Sequence, residues 1–119
     1  MACKRGDVIL VQFPFSSGVQ TKRRPALVVQ CDRNNRRLDN TIIAMICTNV
    51  SRAGEEPTQY LIALETPDGK QSGLVSTSVV KCENLFTVEQ SLVKRVLGSL
   101  PETSMVQIDK CLKASLGIL

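Results

Sequence analysis

Six cations, Lys22, Arg23, Arg24, Arg33, Arg36 and Arg37, share one short stretch whose only acid is Asp32. That stretch carries +5 while the whole chain carries +4, so everything outside it sums to −1. A local basic segment on a near-neutral body is the electrostatic footprint of a site for a polyanion. The plainer reading is a solvated, charged turn with no ligand. What is missing narrows the chemistry further. The chain has no histidine, which excludes imidazole acid–base catalysis, Ser-His-Asp triads and histidine-held metals. Any catalysis falls to Arg, Lys, Asp, Glu, Tyr, Thr, Ser or Cys. The cysteines, Cys3, Cys31, Cys47, Cys82 and Cys111, are odd in number and form no C-x-x-C pair. A zinc site draws on such pairs or on histidine, so these read as buried free thiols acting as small hydrophobes.

The elements around the basic stretch set its geometry. Lys22-Arg23-Arg24-Pro25 runs into an apolar segment that reads as a strand over 26–31, and a second apolar run over 41–47 stops on Thr48. If the two strands pair antiparallel, Arg24 at the start of one lies near Thr48 at the end of the other. The run 41–47 is apolar on both faces, which predicts a central strand. Asp7-Val8-Ile9-Leu10-Val11-Gln12-Phe13 is a strand by its β-branched content, and a long polar loop from Ser16 leads to Arg24. Further strands are expected over 58–64, 73–82, 84–88 and 93–100. Arg33-Asn34-Asn35-Arg36-Arg37 and Pro67-Asp68-Gly69 read as turns. Pro101-Glu102 opens a helix with Ser99 near its cap, Met105, Ile108, Leu112 and Leu116 on one face and Gly117 as the stop.

At 119 residues, 43 % of them apolar and 22 % charged, this is one ordinary globular domain spanning 1–119. No apolar run is long enough to span a membrane, and the N-terminus turns polar at once, so the expected location is cytoplasmic. Short strands with one terminal helix predict a mainly β, α+β fold: a small, strongly curved antiparallel sheet or partly open barrel with the helix packed on it.

Five segments in order resemble the MazF/PemK family of toxin endoribonucleases. They are Arg5-Gly6-Asp7-Val8, Arg24-Pro25-Ala26-Leu27-Val28-Val29-Gln30, the third strand ending on Thr48, Ser78-Val79-Val80 with Leu85-Phe86-Thr87-Val88, and the terminal Leu100-Pro101-Glu102 through Leu116-Gly117. No one of them is diagnostic, but the ordered series covers nearly the whole chain. The resemblance implies an SH3-like barrel and a homodimer. It implies sequence-selective, ribosome-independent cleavage of single-stranded RNA with no metal or other cofactor. It implies a cognate antitoxin as partner, through which alone DNA would be contacted. The family's catalytic arginine and threonine fall on Arg24 and Thr48. Where the family often has a loop glutamate, considered a base, this chain has Val19, so either another group such as Glu83 is the base or base help is weak and phosphate activation dominates.

Such chemistry is consistent with the residue types. RNA can be cut by its own 2′-OH attacking the neighbouring phosphorus, which leaves a 2′,3′-cyclic phosphate. An arginine offers forked donors to the phosphate oxygens as charge builds, and a threonine hydroxyl adds another. Lys22, Arg23 and the 33–37 turn are candidates for phosphate contacts. Gln20, Asn49, Ser78 and Asn84 are candidates for reading base edges at strand ends. Aromatics are sparse: Phe13 and Phe86 read as core, and Phe15 as the one best placed to touch a base. Two other readings compete. One is a non-catalytic toxin of the same barrel acting on a protein, of the gyrase-poison type, against which the absence of tryptophan speaks. The other is a small basic nucleic-acid-binding module.

Overall fold

The computed structural model describes residues 2–13 and 22–119. Six strands form one antiparallel sheet: β1 (Asp7–Phe13), β2 (Lys22–Val28), β3 (Asn40–Cys47), β4 (Gln59–Ile62), β5 (Ser78–Glu89) and β6 (Val93–Ser99). Their spatial order is β4-β5-β3-β2-β1-β6, so β3 is indeed interior and the pairing leaves β4 and β6 as edges. Among the described residues, three α-helices, α1 (Asp32–Arg37), α2 (Pro67–Ser72) and α3 (Glu102–Leu116), and a short 3-10 turn (Gln90–Leu92) complete the fold.

The two-residue period of a strand sends neighbours to opposite faces, and here both faces are filled. Val8, Leu27, Ala44, Ile46, Val80 and Ile62 form one core with α3, which contributes Met105, Ile108 and Cys111. Ile9, Val11, Phe13, Ala26, Val28, Ile43 and Val88 form the other. Phe13 meets Phe86 edge-on there, ring centroids 5.7 Å apart.

Several boundaries differ from expectation, each for a physical reason. β2 begins on the cations themselves and ends at Val28, because Lys22, Arg23 and Arg24 pair with Phe13, Gln12 and Val11 of β1. The 33–37 turn is helix α1. Its buried Asn35 accepts from Gln30 Nε2 at 2.9 Å and from Thr41 Oγ1 at 2.7 Å, and donates to the Gln30 carbonyl at 3.0 Å. The strands expected over 73–82 and 84–88 are one strand, β5, whose ladder skips Cys82, Glu83 and Asn84 as it steps from Lys81 (opposite Met45) to Leu85 (opposite Ala44). The apolar stripe of α3 turns toward Cys111 and leaves Leu116 59 % exposed. Pro101 caps α3 while Ser99 ends β6. Gly117, at φ 70°, stops α3 as expected.

Pro67-Asp68-Gly69 is the first turn of α2, with Thr66 Oγ1 capping the Gly69 N–H at 3.2 Å. This short helix bridges the two sheet edges. Tyr60 of β4 donates to Asp68 Oδ2 at 2.9 Å, and Gln71 Nε2 donates to Ser99 Oγ of β6 at 3.2 Å. The approach to β6 needs glycine: a Cβ on Gly98 would lie 2.3 Å from the Gln71 carbonyl oxygen. The sheet is thus brought round toward a barrel by a helix seated between its edges, without strand-to-strand closure among the described residues.

Candidate active site

β2 and β3 pair antiparallel through Ala26–Met45, Leu27–Ala44 and Val28–Ile43. Continued by two residues, that register sets Arg24 level with Cys47, the residue before Thr48. Arg24 and Thr48 are both exposed, at adjoining strand ends. Inward support is rigid: Arg24 pairs with Val11 of β1, which is fully buried, and Ala26, two residues along β2, is fully buried too. The backbone that carries the guanidinium therefore sits on packed sheet.

The other candidates divide. Lys22 and Arg23 are exposed beside Arg24 at the start of β2. Asn49 is exposed next to Thr48, and its Oδ1 accepts from Ser51 Oγ at 2.8 Å and Ser51 N at 3.3 Å, which fixes its amide in a tight turn. Ser78 does not present its hydroxyl to a ligand: it is 3 % exposed and donates to the Ser76 carbonyl at 2.8 Å. Asn84 is exposed but belongs to the irregular part of β5, five residues beyond Val79, which pairs with Cys47. It sits in the ladder interruption between Lys81, opposite Met45, and Leu85, opposite Ala44, and not at the strand end itself. Gln20, together with Phe15 and Val19, lies outside the described residues.

Glu83 lies in the interruption of the β5 ladder between Lys81, opposite Met45, and Leu85, opposite Ala44, so it stands back from Cys47 at the level of Met45 and Ala44. Its carboxylate accepts from Gln59 Nε2 at 2.7 Å and from Thr58 Oγ1 at 3.0 Å. Partial burial pushes this carboxyl upward, but the bonds from Gln59, the backbone and Thr58, with Lys81 nearby, outweigh it and hold the group below the ordinary carboxylate range. A carboxylate so placed and so satisfied is a poor proton acceptor for a 2′-OH at Arg24.

The basic stretch is not one patch. β2 carries the chain about 13 Å from Arg24 to Val28 before α1 begins at Asp32. Arg33, Arg36 and Arg37 therefore stand near the opposite end of β2 from Lys22, Arg23 and Arg24. The sequence reading missed two cations that do reach the Arg24 end. Val11 pairs with Arg24 on one side and with Val93 on the other; Lys94 and Arg95 come next along β6, with Arg95 opposite Leu10, one row on. The signal was present in Val93-Lys94-Arg95-Val96, but it becomes legible only once β6 is known to flank β1.

The thiols behave as expected at Cys3, Cys82 and Cys111, which are buried and free; Cys31 is exposed and Cys47 half-buried. Burial pushes the Cys82 thiol up to about 12, so it is inert.

A family model described as PemK-like, MazF-like toxin of type II toxin-antitoxin system matches residues 4–116. The chain is 30% identical over 116 residues to endoribonuclease MazF of Staphylococcus epidermidis, covering 97% of this chain and 92% of the relative. It is 30% identical over 120 residues to endoribonuclease EndoA of Bacillus subtilis, covering 100% and 98%. Among solved structures, a mycobacterial endoribonuclease in complex with its cognate antitoxin shares the fold at a TM-score of 0.79 and 21% identity, over 99% of this chain and 98% of that one. A MazE–MazF complex from Deinococcus radiodurans does so at 0.72 and 21%, over 100% of both chains. With the family model spanning nearly its whole length, the chain belongs to the PemK-like, MazF-like toxins of type II toxin–antitoxin systems.

Proposed function

We propose that this toxin cleaves single-stranded RNA, mRNA above all, at selected sequences without ribosome or metal, by transesterification at the pair Arg24 and Thr48. Its class is that of an endoribonuclease, as its curated relatives are. The observation that carries the reading is the β2–β3 register, which supports bringing an arginine and a threonine to one exposed strand end. There the 2′-OH of one nucleotide attacks the adjacent phosphorus and loses its proton, while the P–O5′ bond breaks and the 5′-oxygen gains one. The products are a 2′,3′-cyclic phosphate and a 5′-OH. Arg24 donates two hydrogen bonds to the non-bridging oxygens as negative charge grows on them, and Thr48 Oγ donates a third. A guanidinium keeps its proton at neutral pH, so the role of Arg24 is electrostatic. Lys22, Arg23 and Asn49 hold the strand on either side, and Gln20, outside the described residues, is a further RNA-binding candidate. An antitoxin of the kind bound to the mycobacterial and Deinococcus relatives would inhibit by covering this basic end, and the active unit is a homodimer.

The test is cleavage of a long single-stranded RNA in excess EDTA, wild type beside Arg24→Ala, with both ends of each cut mapped. Discrete cuts that persist in EDTA, carry cyclic phosphate termini and vanish in the variant are expected. Binding without cutting at any enzyme concentration would sink the proposal and leave a nucleic-acid-binding module.

A further inference from the structure

We propose that Lys94 and Arg95 form a phosphate subsite on β6 that holds the RNA backbone to one side of the scissile phosphate, opposite the side on which Thr48 lies. The inference rests on reading the chain as an RNA-cutting enzyme. It follows from the row that ends on Val93, the residue just before Lys94, with Arg95 one row on, opposite Leu10. Val11 is paired with Arg24 of β2 and with Val93 of β6. Two strand spacings of about 4.8 Å then put the start of β6 about 10 Å from Arg24, while Thr48 follows β3 on the other flank. Phosphate-binding groups on both sides of a catalytic arginine are what a strand crossing the sheet end would require.

The local backbone at β6 is also special. The ladder steps from Val93 to Arg95 while β1 steps only from Val11 to Leu10. Lys94 is therefore an extra residue, and such bulges re-aim side chains beside active sites. Both Lys94 and Arg95 are exposed, and among the described residues neither is in an ion pair.

The competing explanation is that edge strands carry charge to prevent aggregation. The molecule does not follow that rule at its other edge: β4 reads Gln59-Tyr60-Leu61-Ile62, with no charge. Within β6 the charges are confined to the end level with Arg24, and Val96 through Ser99 carry none. Edge protection predicts neither feature, whereas a local anion site predicts both.

Binding of a fluorescently labelled single-stranded RNA, measured by anisotropy between 50 and 200 mM salt, tests the subsite. All variants carry Arg24→Ala so that nothing is cut. Lys94→Ala/Arg95→Ala is expected to weaken binding several-fold at low salt and to reduce the log–log salt slope by about 1.4, the share of two phosphate contacts on a single strand. Lys110→Ala/Lys113→Ala, exposed on α3, removes the same charge elsewhere and is expected to leave the slope unchanged. An unaltered slope in the β6 variant overturns the subsite, as does an equal loss in the α3 variant. Matching thermal melts exclude misfolding as the cause. The underlying reading fails separately, if wild-type protein does not cut RNA at all.

Discussion

A guanidinium and a hydroxyl can act on one phosphate only if the strands that carry them hold their register. Here buried neighbours hold it: Val11 and Ala26 beneath Arg24, and Ala44 and Ile46 along β3. Thr48 itself is exposed, so Thr48→Ala should leave the melting temperature nearly unchanged while lowering kcat by roughly 10²–10³, the usual cost of one preorganised donor. Single-turnover cleavage of a short RNA measures this; a loss below about threefold would remove Thr48 from the chemistry. Arg24→Lys should recover little of the Arg24→Ala defect, because an ammonium cannot donate the paired bonds of a guanidinium. Glu83 gives the opposite expectation. Its folded pKa is depressed, so its bonds to Gln59 and Thr58 stabilise the fold above the unfolded carboxylate pKa and are lost as pH falls through the folded one. Glu83→Gln should therefore cut RNA like wild type, be less stable near neutrality, and converge with wild type in acid denaturation. A large cleavage defect at unchanged stability would restore Glu83 as the base. At this scale the sequence placed Thr48 correctly just after a strand, whereas Arg24, expected just before one, lies inside β2. It misled at Ser78, whose small hydroxyl turns inward to a backbone carbonyl, a choice that residue type does not reveal.

Strand existence was legible because β-branched runs announce themselves, but strand continuity was not. β5 reads as two segments, since Lys81-Cys82-Glu83-Asn84 breaks the apolar pattern, yet the chain crosses it as one strand with its ladder interrupted. The short helices were misread for a related reason. Asn35 looks like a turn former until Gln30, Thr41 and Gln90 satisfy it in the interior, and Thr66-Pro67 is a cap and first turn as well as a loop signal. α2 matters most, because it joins the sheet edges where no strand pairing does. Its carboxylate Asp68 gathers Tyr60 of β4 and Ser104 of α3 at 2.9 and 3.2 Å, so three elements converge on one side chain. Gly98→Ala would push a methyl into the α2 backbone, with contacts of 2.3 Å to Gln71 and 2.6 Å to Ser72. A loss of about 1–3 kcal/mol is expected from such overpacking, read as a shifted denaturant midpoint. A neutral Gly98→Ala would mean that α2 is not seated on β6, and that the barrel-like curvature has another cause.

Charge is where reading the chain linearly and reading it folded diverge most for the whole molecule. Summed along the chain, residues 22–37 carry the entire positive excess. Folded, β2 separates that excess, with Lys22, Arg23 and Arg24 at one end and the arginines of α1 beyond the other. Linear proximity misleads here because an extended strand is the most efficient way to carry neighbours apart, at about 3.3 Å per residue. If five cations at the Arg24 end, Lys94 and Arg95 included, each neutralise a phosphate, RNA affinity should fall on the order of a hundredfold between 50 and 200 mM salt. The two halves of the basic stretch should then be unequal. Lys22→Ala/Arg23→Ala should take about 1.4 from the salt slope, whereas Arg33→Ala/Arg36→Ala/Arg37→Ala, although it removes more charge, should take less. The comparison is decisive because a purely global field predicts the reverse order, the triple variant losing more. Isothermal titration or anisotropy at four salt concentrations measures both slopes. A larger loss in the α1 variant would move the RNA path along β2 toward α1, away from the sheet end that Arg24 and Thr48 share.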